Sequence, residues 1–397
     1  MRSPCSGLRN RCFKYSCHLG LLFLVTVVLM SLTKQWTLQP VNFLAEQPFN
    51  TVIPAQVKHP NRTAEYSILI WDVGKRMQRR FLRSFGDTEQ DPFRYCSVQN
   101  CKLEVNNGKI EEASAVMFHL HLTKGPHTLP PHHRPDQEWI FFTDESPLHT
   151  FFLTKRYEMR DYNGIFNLSM TYRSDSDIPV PYGRTVRLSP EQKRALGPLP
   201  NFAAQKTGLV AILGSNCGGT NRRWDYVYEL EKYIPVQIYG GCGKKACPGH
   251  FTKDCDVIKD YMFYLAFENS NCREYITEKL WWNAYAKEVV PVVMGGSKSD
   301  YEKLCPPKSF IHVEDFASPR DLAAYLLELN TDAAAYNAFF EWKKDYKVLN
   351  EHGYFGSPSL HLCRICEKLN APNRLPKVYS DLDAFWNAKR DCRKPVW

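Results

Sequence analysis

Between about residues 66 and 295 the chain alternates short apolar runs with polar and charged segments. Ser67-Ile68-Leu69-Ile70-Trp71, Ala115 to Phe118 and Trp139 to Phe142 are runs of the first half. Gly208 to Leu213, Pro235 to Gly240, Tyr261 to Phe267 and Val289 to Met294 are runs of the second. Runs this short predict buried strands. Helices are predicted over Arg222 to Tyr233 and over Asp321 to Leu329, where Ser318-Pro319 gives a capped start. Strands separated by helices predict parallel α/β sheets. Pro179, Pro181, Pro190, Pro198 and Pro200 cluster around the charged segment Glu191 to Arg194 and mark a linker near residues 178–200. The pattern therefore predicts two Rossmann-like domains facing a cleft, over residues 65–185 and 200–370, with a tail at 371–397. A ligand is expected at the carboxyl ends of their strands.

One further apolar run has a different meaning. Tyr15 to Thr33 gives 19 residues without Asp, Glu, Lys or Arg, close to the ~20 that a helix needs to cross a bilayer. Arg2, Arg9, Arg11 and Lys14 precede it and only Lys34 follows closely. The positive-inside rule then predicts a cytosolic tail (1–14), an uncleaved signal-anchor (15–33) and a lumenal body. No small-residue cleavage site follows; a removed signal peptide is the alternative. Residues 34–64 carry Pro40, Pro48, Pro54 and Pro60 and are expected to form a stem.

Cysteine usage fits an oxidising lumen. Fourteen cysteines are present; eleven lie between Cys96 and Cys392, so most are expected to pair and at least one to stay single. Cys96 with Cys101, and Cys242 with Cys247, are spaced for small loops, and Cys363-Arg364-Ile365-Cys366 is expected to serve a structural disulfide near the C-terminus rather than a redox or zinc site. Connectivity stays open. Asn61-Arg62-Thr63 and Asn167-Leu168-Ser169 are N-glycan acceptor triplets. The net charge of +9 contains no dense Lys/Arg run, which argues against a nucleic-acid partner.

The densest chemistry lies in residues 267–296. Glu268, Asn269, Tyr275, Glu278 and Lys279 precede the Val289 to Met294 run, which ends at Gly295-Gly296: a helix, a buried strand and a tight turn. A carboxylate beside an ammonium there suits an anion such as a nucleotide diphosphate; a solvated charged helix face is the competing reading. Phe267-Glu268-Asn269-Ser270, Tyr275-Ile276-Thr277-Glu278-Lys279 and the following Val-Pro-Val-Val-Met-Gly resemble the signature of the α1,3/4-fucosyltransferases. The similarity runs over roughly residues 65–370. Glu274 departs from it, since many relatives carry Asp, and Cys272 looks like the invertebrate branch. The resemblance implies inverting transfer of L-fucose from GDP-fucose to a sugar hydroxyl, and a two-domain GT-B fold with the acceptor in the first domain and the donor in the second.

Such a displacement needs a base for the incoming hydroxyl and charge compensation on the departing GDP. Glu145, just after the Trp139 to Phe142 strand, is the candidate base; its Glu-Ser-Pro context is similar to the family segment that carries the proposed base. Partial burial behind Phe141 and Phe142 is expected to raise its carboxyl pKa. Asp144 is the competing carboxylate. Arg223 and Lys279 are the candidates for the diphosphate; Arg222 adjoins Arg223, and the family pattern favours Arg223. By resemblance Glu278 reaches ribose or fucose, and Asn269 and Tyr275 bond around the diphosphate and fucose. Tyr239, before Gly240, is a candidate contact for guanine or ribose. Asp175-Ser176-Asp177, Asp254-Cys255-Asp256 and Asp381-Leu382-Asp383 are formal Asp-x-Asp patterns, here expected to be structural, with no metal and no tightly bound cofactor. The segment His119 to His133 holds five histidines that either line the acceptor cleft or form an exposed loop. The expectation is a Golgi type II fucosyltransferase acting on the 3-hydroxyl of GlcNAc in glycoprotein glycans. Its rivals are a metal-dependent UDP-sugar transferase and a catalytically silent lumenal glycan-binding protein.

Overall fold

The computed structural model describes residues 66–397 except 75, 78–80, 82–90, 95, 152, 245–246, 248–253, 354–356, 358, 373–374 and 396. The expected tail, signal-anchor and stem, with Cys5, Cys12, Cys17 and Asn61, lie outside the described residues. Among the described residues no helix is long and apolar enough to cross a membrane.

Each expected run is a strand. In the first lobe β1 (Tyr66–Ile70), β2 (Cys101–Glu104), β3 (Ala115–His119), β4 (Glu138–Thr143), β5 (Leu168–Thr171) and β6 (Ile178–Pro179) form one parallel sheet in the order β2-β1-β3-β4-β5-β6. The chain then leaves through β7 (Gly183–Arg187). The second lobe contains β8 (Gly208–Leu213), β9 (Val236–Tyr239), β10 (Tyr261–Phe267), the two-residue β11 (Asn271–Cys272), β12 (Val290–Met294) and β13 (Ile311–His312). Its parallel sheet has the order β13-β12-β10-β8-β9. The strand order reverses between β8 and β10, and in open α/β sheets the crevice beyond such a switch point holds the ligand.

Alternation along the strands decides which face meets what. Leu69, Val116, Phe118, Trp139 and Phe141 share one buried cluster with Ala211, Tyr264, Ala266 and Val293, so faces of the two sheets contribute to a common core. The opposite face of the second sheet (Val210, Ile212, Phe263, Leu265, Val292) is covered by the helices Arg223–Leu230 and Pro319–Thr331 through Val227, Leu230, Leu322 and Leu326. Ser318 caps the second of these helices, as its sequence predicts, accepting from the Asp321 N–H.

Residues beyond 345 depart from the expected boundary. β14 (Tyr346–Asn350) pairs antiparallel with β7, and the helix His361–Leu369 packs on the first sheet, burying Leu362, Ile365 and Leu369 against Ile68, Ile70, Met117 and Phe142. The reason is its apolar stripe, which the exposed face of the first sheet needs. The 371–397 segment is equally structural. Trp386 is buried against Tyr172, and β15 (Cys392–Arg393) pairs with β11.

The cysteines record this return path and correct the local pairings. Cys96 bonds Cys363 and Cys101 bonds Cys366, so the Cys-x-x-Cys staples the C-terminal helix to the first lobe. Cys242 joins Cys217, Cys247 joins Cys255, and Cys272 joins Cys392. Among the described residues Cys305 is the free, buried thiol. Asn167, of the expected acceptor triplet, accepts at Oδ1 from the Trp139 N–H (2.7 Å) and donates from Nδ2 to the Lys377 carbonyl (2.8 Å) in a bond exposed to solvent.

Glu351 locks the crossover. Its buried carboxylate accepts from Arg184 of β7 (2.6 Å from Nη2) and from Arg364 of the C-terminal helix. Burial opposes its charge, but Arg364 and Arg184 hold the carboxyl below the ordinary range. A depressed carboxyl stabilises the fold above the unfolded glutamate pKa and stops doing so as pH falls through the folded one. Glu351→Gln is expected to lose about 3 kcal/mol at neutral pH, read by urea unfolding, because two arginines are left uncompensated. The gap to the parent chain should close at acid pH; an equal gap at both pH values would refute the ion-pair account.

Candidate active site

β4 ends in buried Phe141, Phe142 and Thr143, and the next two residues diverge. Asp144 turns inward, whereas Glu145 is half-buried and faces the second lobe. Glu145 Oε2 accepts from the Tyr275 hydroxyl (3.1 Å) and lies 3.5 Å from Asn269 Nδ2. One residue on, Ser146 Oγ accepts from Ser270 Oγ (2.8 Å). The two lobes are thus joined at the candidate base. Burial pushes the Glu145 carboxyl up, the Asp144 charge pushes it further, and His121, Lys279 and the Tyr275 hydroxyl oppose. Such a group takes up a proton more readily than an exposed glutamate, as general-base work requires.

Of the helix, strand and turn expected over 267–296, the strand is β12, but the helix is short: β10 runs to Phe267, Asn269 to Ile276 form a loop that includes the two-residue β11, and one helical turn spans Glu278–Trp281. Glu268 organises it. Its buried carboxylate accepts from Thr277 N–H (2.7 Å) and Thr277 Oγ1 (2.9 Å) and lies 3.0 Å from Lys279 Nζ. Lys279 also donates to Thr277 Oγ1 (2.9 Å) and Glu278 Oε1 (3.3 Å), and 18% of its side chain reaches solvent. Burial disfavours its charge, but Glu268 and Glu278 overcome that and keep the ammonium protonated. Lys279 in turn holds Glu278 below the ordinary range against burial, while burial pushes Glu268 up.

Arg223 opens the helix Arg223–Leu230 at the β8/β10 switch point. The structure separates it from its neighbour. Arg222 is 59% exposed and pairs with Asp225 (2.9 Å), whereas the Arg223 side chain is buried. Arg223 donates to the carbonyls of Asn216 (2.7 Å), Phe267 (2.9 Å) and Gly218 (3.2 Å). Three of its five N–H groups therefore fasten the loop after β8 to the end of β10. Burial lowers its pKa, with Glu268 the largest opposing charge. Its charge also opposes that of Lys279. Gly219 allows the loop to close: its φ is +145°, and a Cβ there would lie 3.0 Å from the Asn269 carbonyl oxygen.

Glu145, Asn269, Tyr275, Glu278, Lys279 and Arg223 thus converge. Tyr239 does not join them: it is buried, and its hydroxyl meets that of Tyr261 at 2.9 Å. Three further residues enter that their sequence context left unassigned. Glu268 anchors Lys279; the Tyr172 ring packs at a tilt against Tyr275, 5.1 Å between centroids; and His149, bonded to Ser146 Oγ (3.2 Å), feels the charge of Arg223. Burial lowers the His149 pKa, His121 and Arg223 adding to it. His149, four residues after Glu145, was the one legible signal. Of the histidine segment, His121 joins the site: its Nδ1 donates to the His149 carbonyl (2.8 Å).

The aspartate pairs are held by other groups. Asp175 binds Arg173 and Arg273; Asp177 binds Lys377 and Tyr379; Asp254 and Asp256 flank Lys287; Asp381 caps a helix and Asp383 accepts from Asn387.

A half-buried carboxylate from one parallel-sheet lobe, bonded to Tyr275 of the other and acted on by the Lys279 ammonium, defines a two-lobed α/β protein with its acidic and basic groups gathered where the lobes meet. In fold the chain matches a solved α1,3-fucosyltransferase with GDP-fucose at a TM-score of 0.50, with 18% identity over 83% of this chain and 96% of that one. A model described as "Fucosyltransferase, N-terminal" matches residues 63–183, and one described as "Glycosyltransferase family 10 (fucosyltransferase) C-term" matches residues 203–386. The chain belongs to glycosyltransferase family 10, the fucosyltransferases. It is 35% identical over 306 residues to glycoprotein 3-alpha-L-fucosyltransferase A of Drosophila melanogaster, covering 76% of this chain and 57% of that protein. It is 40% identical over 284 residues to the 3-galactosyl-N-acetylglucosaminide 4-alpha-L-fucosyltransferase of Bos taurus, covering 71% and 73%.

Proposed function

We propose that this chain transfers L-fucose from GDP-fucose to the 3-hydroxyl of a GlcNAc residue in glycoprotein glycans, with inversion and without a metal. The observation that carries this reading is the convergence of Glu145 from one lobe with Lys279 and Arg223 from the other, bridged by Tyr275 and Asn269. Glu145 takes the proton of the acceptor hydroxyl as its oxygen bonds the anomeric carbon of fucose. The bond from that carbon to the diphosphate breaks on the opposite face, which inverts the centre. Lys279, with Arg223 behind it, meets the charge that develops on the departing GDP. Glu278 remains ionised and accepts from donor hydroxyls. The names of the relatives, fucosyltransferases acting on glycoprotein or on N-acetylglucosaminide, support the donor sugar and the acceptor class.

The same reading places the chain in the Golgi membrane as a single-pass type II protein, with the two lobes in a lumenal GT-B arrangement. The lumenal side is supported by five disulfides among the described residues.

The test is incubation of the full chain with GDP-fucose and a glycan panel, with and without EDTA, followed by linkage analysis. Fucose is expected on O3 of GlcNAc at equal rates in both arms. Loss in EDTA with recovery in Mn²⁺ would replace the metal-free mechanism. Absence of transfer to every GlcNAc acceptor would leave a silent glycan-binding protein.

A further inference from the structure

The loop that presents Tyr275 to Glu145 is fastened to the first lobe one residue earlier as well. Glu274 has a backbone φ of +55°, a left-handed conformation that residues with a Cβ seldom adopt. Its carboxylate is buried and crosses between the lobes. It accepts from the N–H (2.6 Å) and the hydroxyl (2.8 Å) of Ser174, in the first-lobe segment that follows β5. Lys303, in the helix Lys298–Leu304 of the second lobe, donates to the same carboxylate (2.7 Å). Burial opposes the Glu274 charge, but the Lys303 and Ser174 donors outweigh it and hold the carboxyl below the ordinary range. Tyr275 follows. Its ring packs at a tilt against Tyr172 (5.1 Å), on the same first-lobe segment as Ser174, and its hydroxyl donates to Glu145 (3.1 Å).

We propose that Glu274 is a positioning residue for the transfer: by clamping the motif loop to Ser174 of the first lobe, it sets the place of the Tyr275 hydroxyl on Glu145. The proposal rests on Glu145 being the base. A left-handed backbone at a residue other than glycine is unfavourable and persists only where surrounding bonds hold it. Three donors on one buried carboxylate are such bonds, and charge-assisted ones are the strong kind. The backbone on either side is tied too: Arg273 N–H donates to the Asp391 carbonyl (2.7 Å) and Tyr275 N–H to the Cys272 carbonyl (3.1 Å). The Arg273 side chain also reaches the first lobe, at Asp175 (2.6 Å), but both partners are about two-fifths exposed and such a pair contributes little. Glu274 is therefore the buried fastening of this turn. Its carboxylate is occupied by Ser174 and Lys303, so it acts through Tyr275 and not on the substrate. Displacing a reacting group by about 1 Å costs up to about 10²-fold in rate, which gives a clamp this close to the base its leverage.

The test is a double-mutant cycle on the full chain, Glu274→Gln with Tyr275→Phe, read as kcat at saturating GDP-fucose and acceptor. Glu274→Gln puts an NH₂ group where an acceptor oxygen met Ser174 or Lys303. Its kcat is expected to fall about tenfold, the scale of losing a hydrogen bond to a charged group. In the Tyr275→Phe background, which has no hydroxyl to place, Glu274→Gln is expected to cost nothing further. A merely structural Glu274 would lower the melting temperature and leave the kcat of the folded enzyme alone. Parental kcat in a folded Glu274→Gln, parental kcat in Tyr275→Phe, or equal losses in both backgrounds overturns the proposal. Where Glu274→Gln does not fold, Ser174→Ala, at an exposed position, removes one of the three donors and enters the same cycle with the same outcomes; failure of both to fold makes the clamp structural and overturns it as well. Glu145→Gln separates the two claims. If it keeps transferring, the base assignment falls; if it is inactive while a folded Glu274→Gln has parental kcat, only the role of Glu274 falls.

Discussion

Glu145→Gln is expected to lower kcat by about 10²- to 10⁴-fold, the range that a positioned base supplies. Gln fills the same space and still accepts from Tyr275 and Asn269 through its carbonyl oxygen, so the contact between the lobes survives. Binding of GDP, measured by calorimetry, should change little, because the cations on the donor side are untouched. The loss should therefore appear in kcat and kcat/KM together, the pattern of an interaction made only in the transition state. A folded Glu145→Gln with parental kcat would remove the base.

Lys279→Ala is expected to cost about 10²- to 10³-fold in kcat, the scale of deleting one fixed donor at a developing charge. Donor affinity should fall in the same variant, since the cation meets the diphosphate before and after bond cleavage. A second effect is specific to this site. Glu268 and Glu278 lose the ammonium that lies 3.0 Å and 3.3 Å from their oxygens. Glu268 is buried and already pushed up, so in the variant it should take a proton and cease to be a charge. Chemical denaturation should show a smaller loss than an unpaired buried charge would give. Lys279→Arg keeps the charge but not the compact fit between two carboxylates and is expected to restore binding only in part. Unchanged kcat and GDP affinity in a folded Lys279→Ala would remove the lysine from the site.

Much of the site was legible along the chain because its chemistry is concentrated in two short strings. Residues 268–279 bring Glu268, Asn269, Tyr275, Glu278 and Lys279 to one strand end, and Glu145 follows an apolar run that reads as a strand. What failed was orientation. Arg222 and Arg223 are identical in composition and adjacent, yet one reaches solvent and the other fastens a loop. Asp144 and Glu145 are alike in the same way, one turned to His119 and His352 and the other to the cleft. Tyr239 sits at a strand end as a ligand contact would, but its hydroxyl finds Tyr261. The charged residues ahead of the Val289 to Met294 strand suggested a helix, whereas Glu268 sits where β10 ends and spends its carboxylate on the Thr277 backbone.

The sequence by itself determined the two parallel sheets, the strand ends that carry function, the kinship, the odd cysteine and the expectation of a base in one lobe and cations in the other. These depend on local period, on apolar run length and on contiguous motifs, all short-range properties of the chain. Only the tertiary structure decided that Cys363 reaches back to Cys96 and Cys366 to Cys101, that the last fifty residues strap both lobes, and which of two neighbouring charges is turned inward. The physical reason is that these choices follow from which faces must be buried together. A residue's spacing says nothing of the distant surface that its helix or strand will cover.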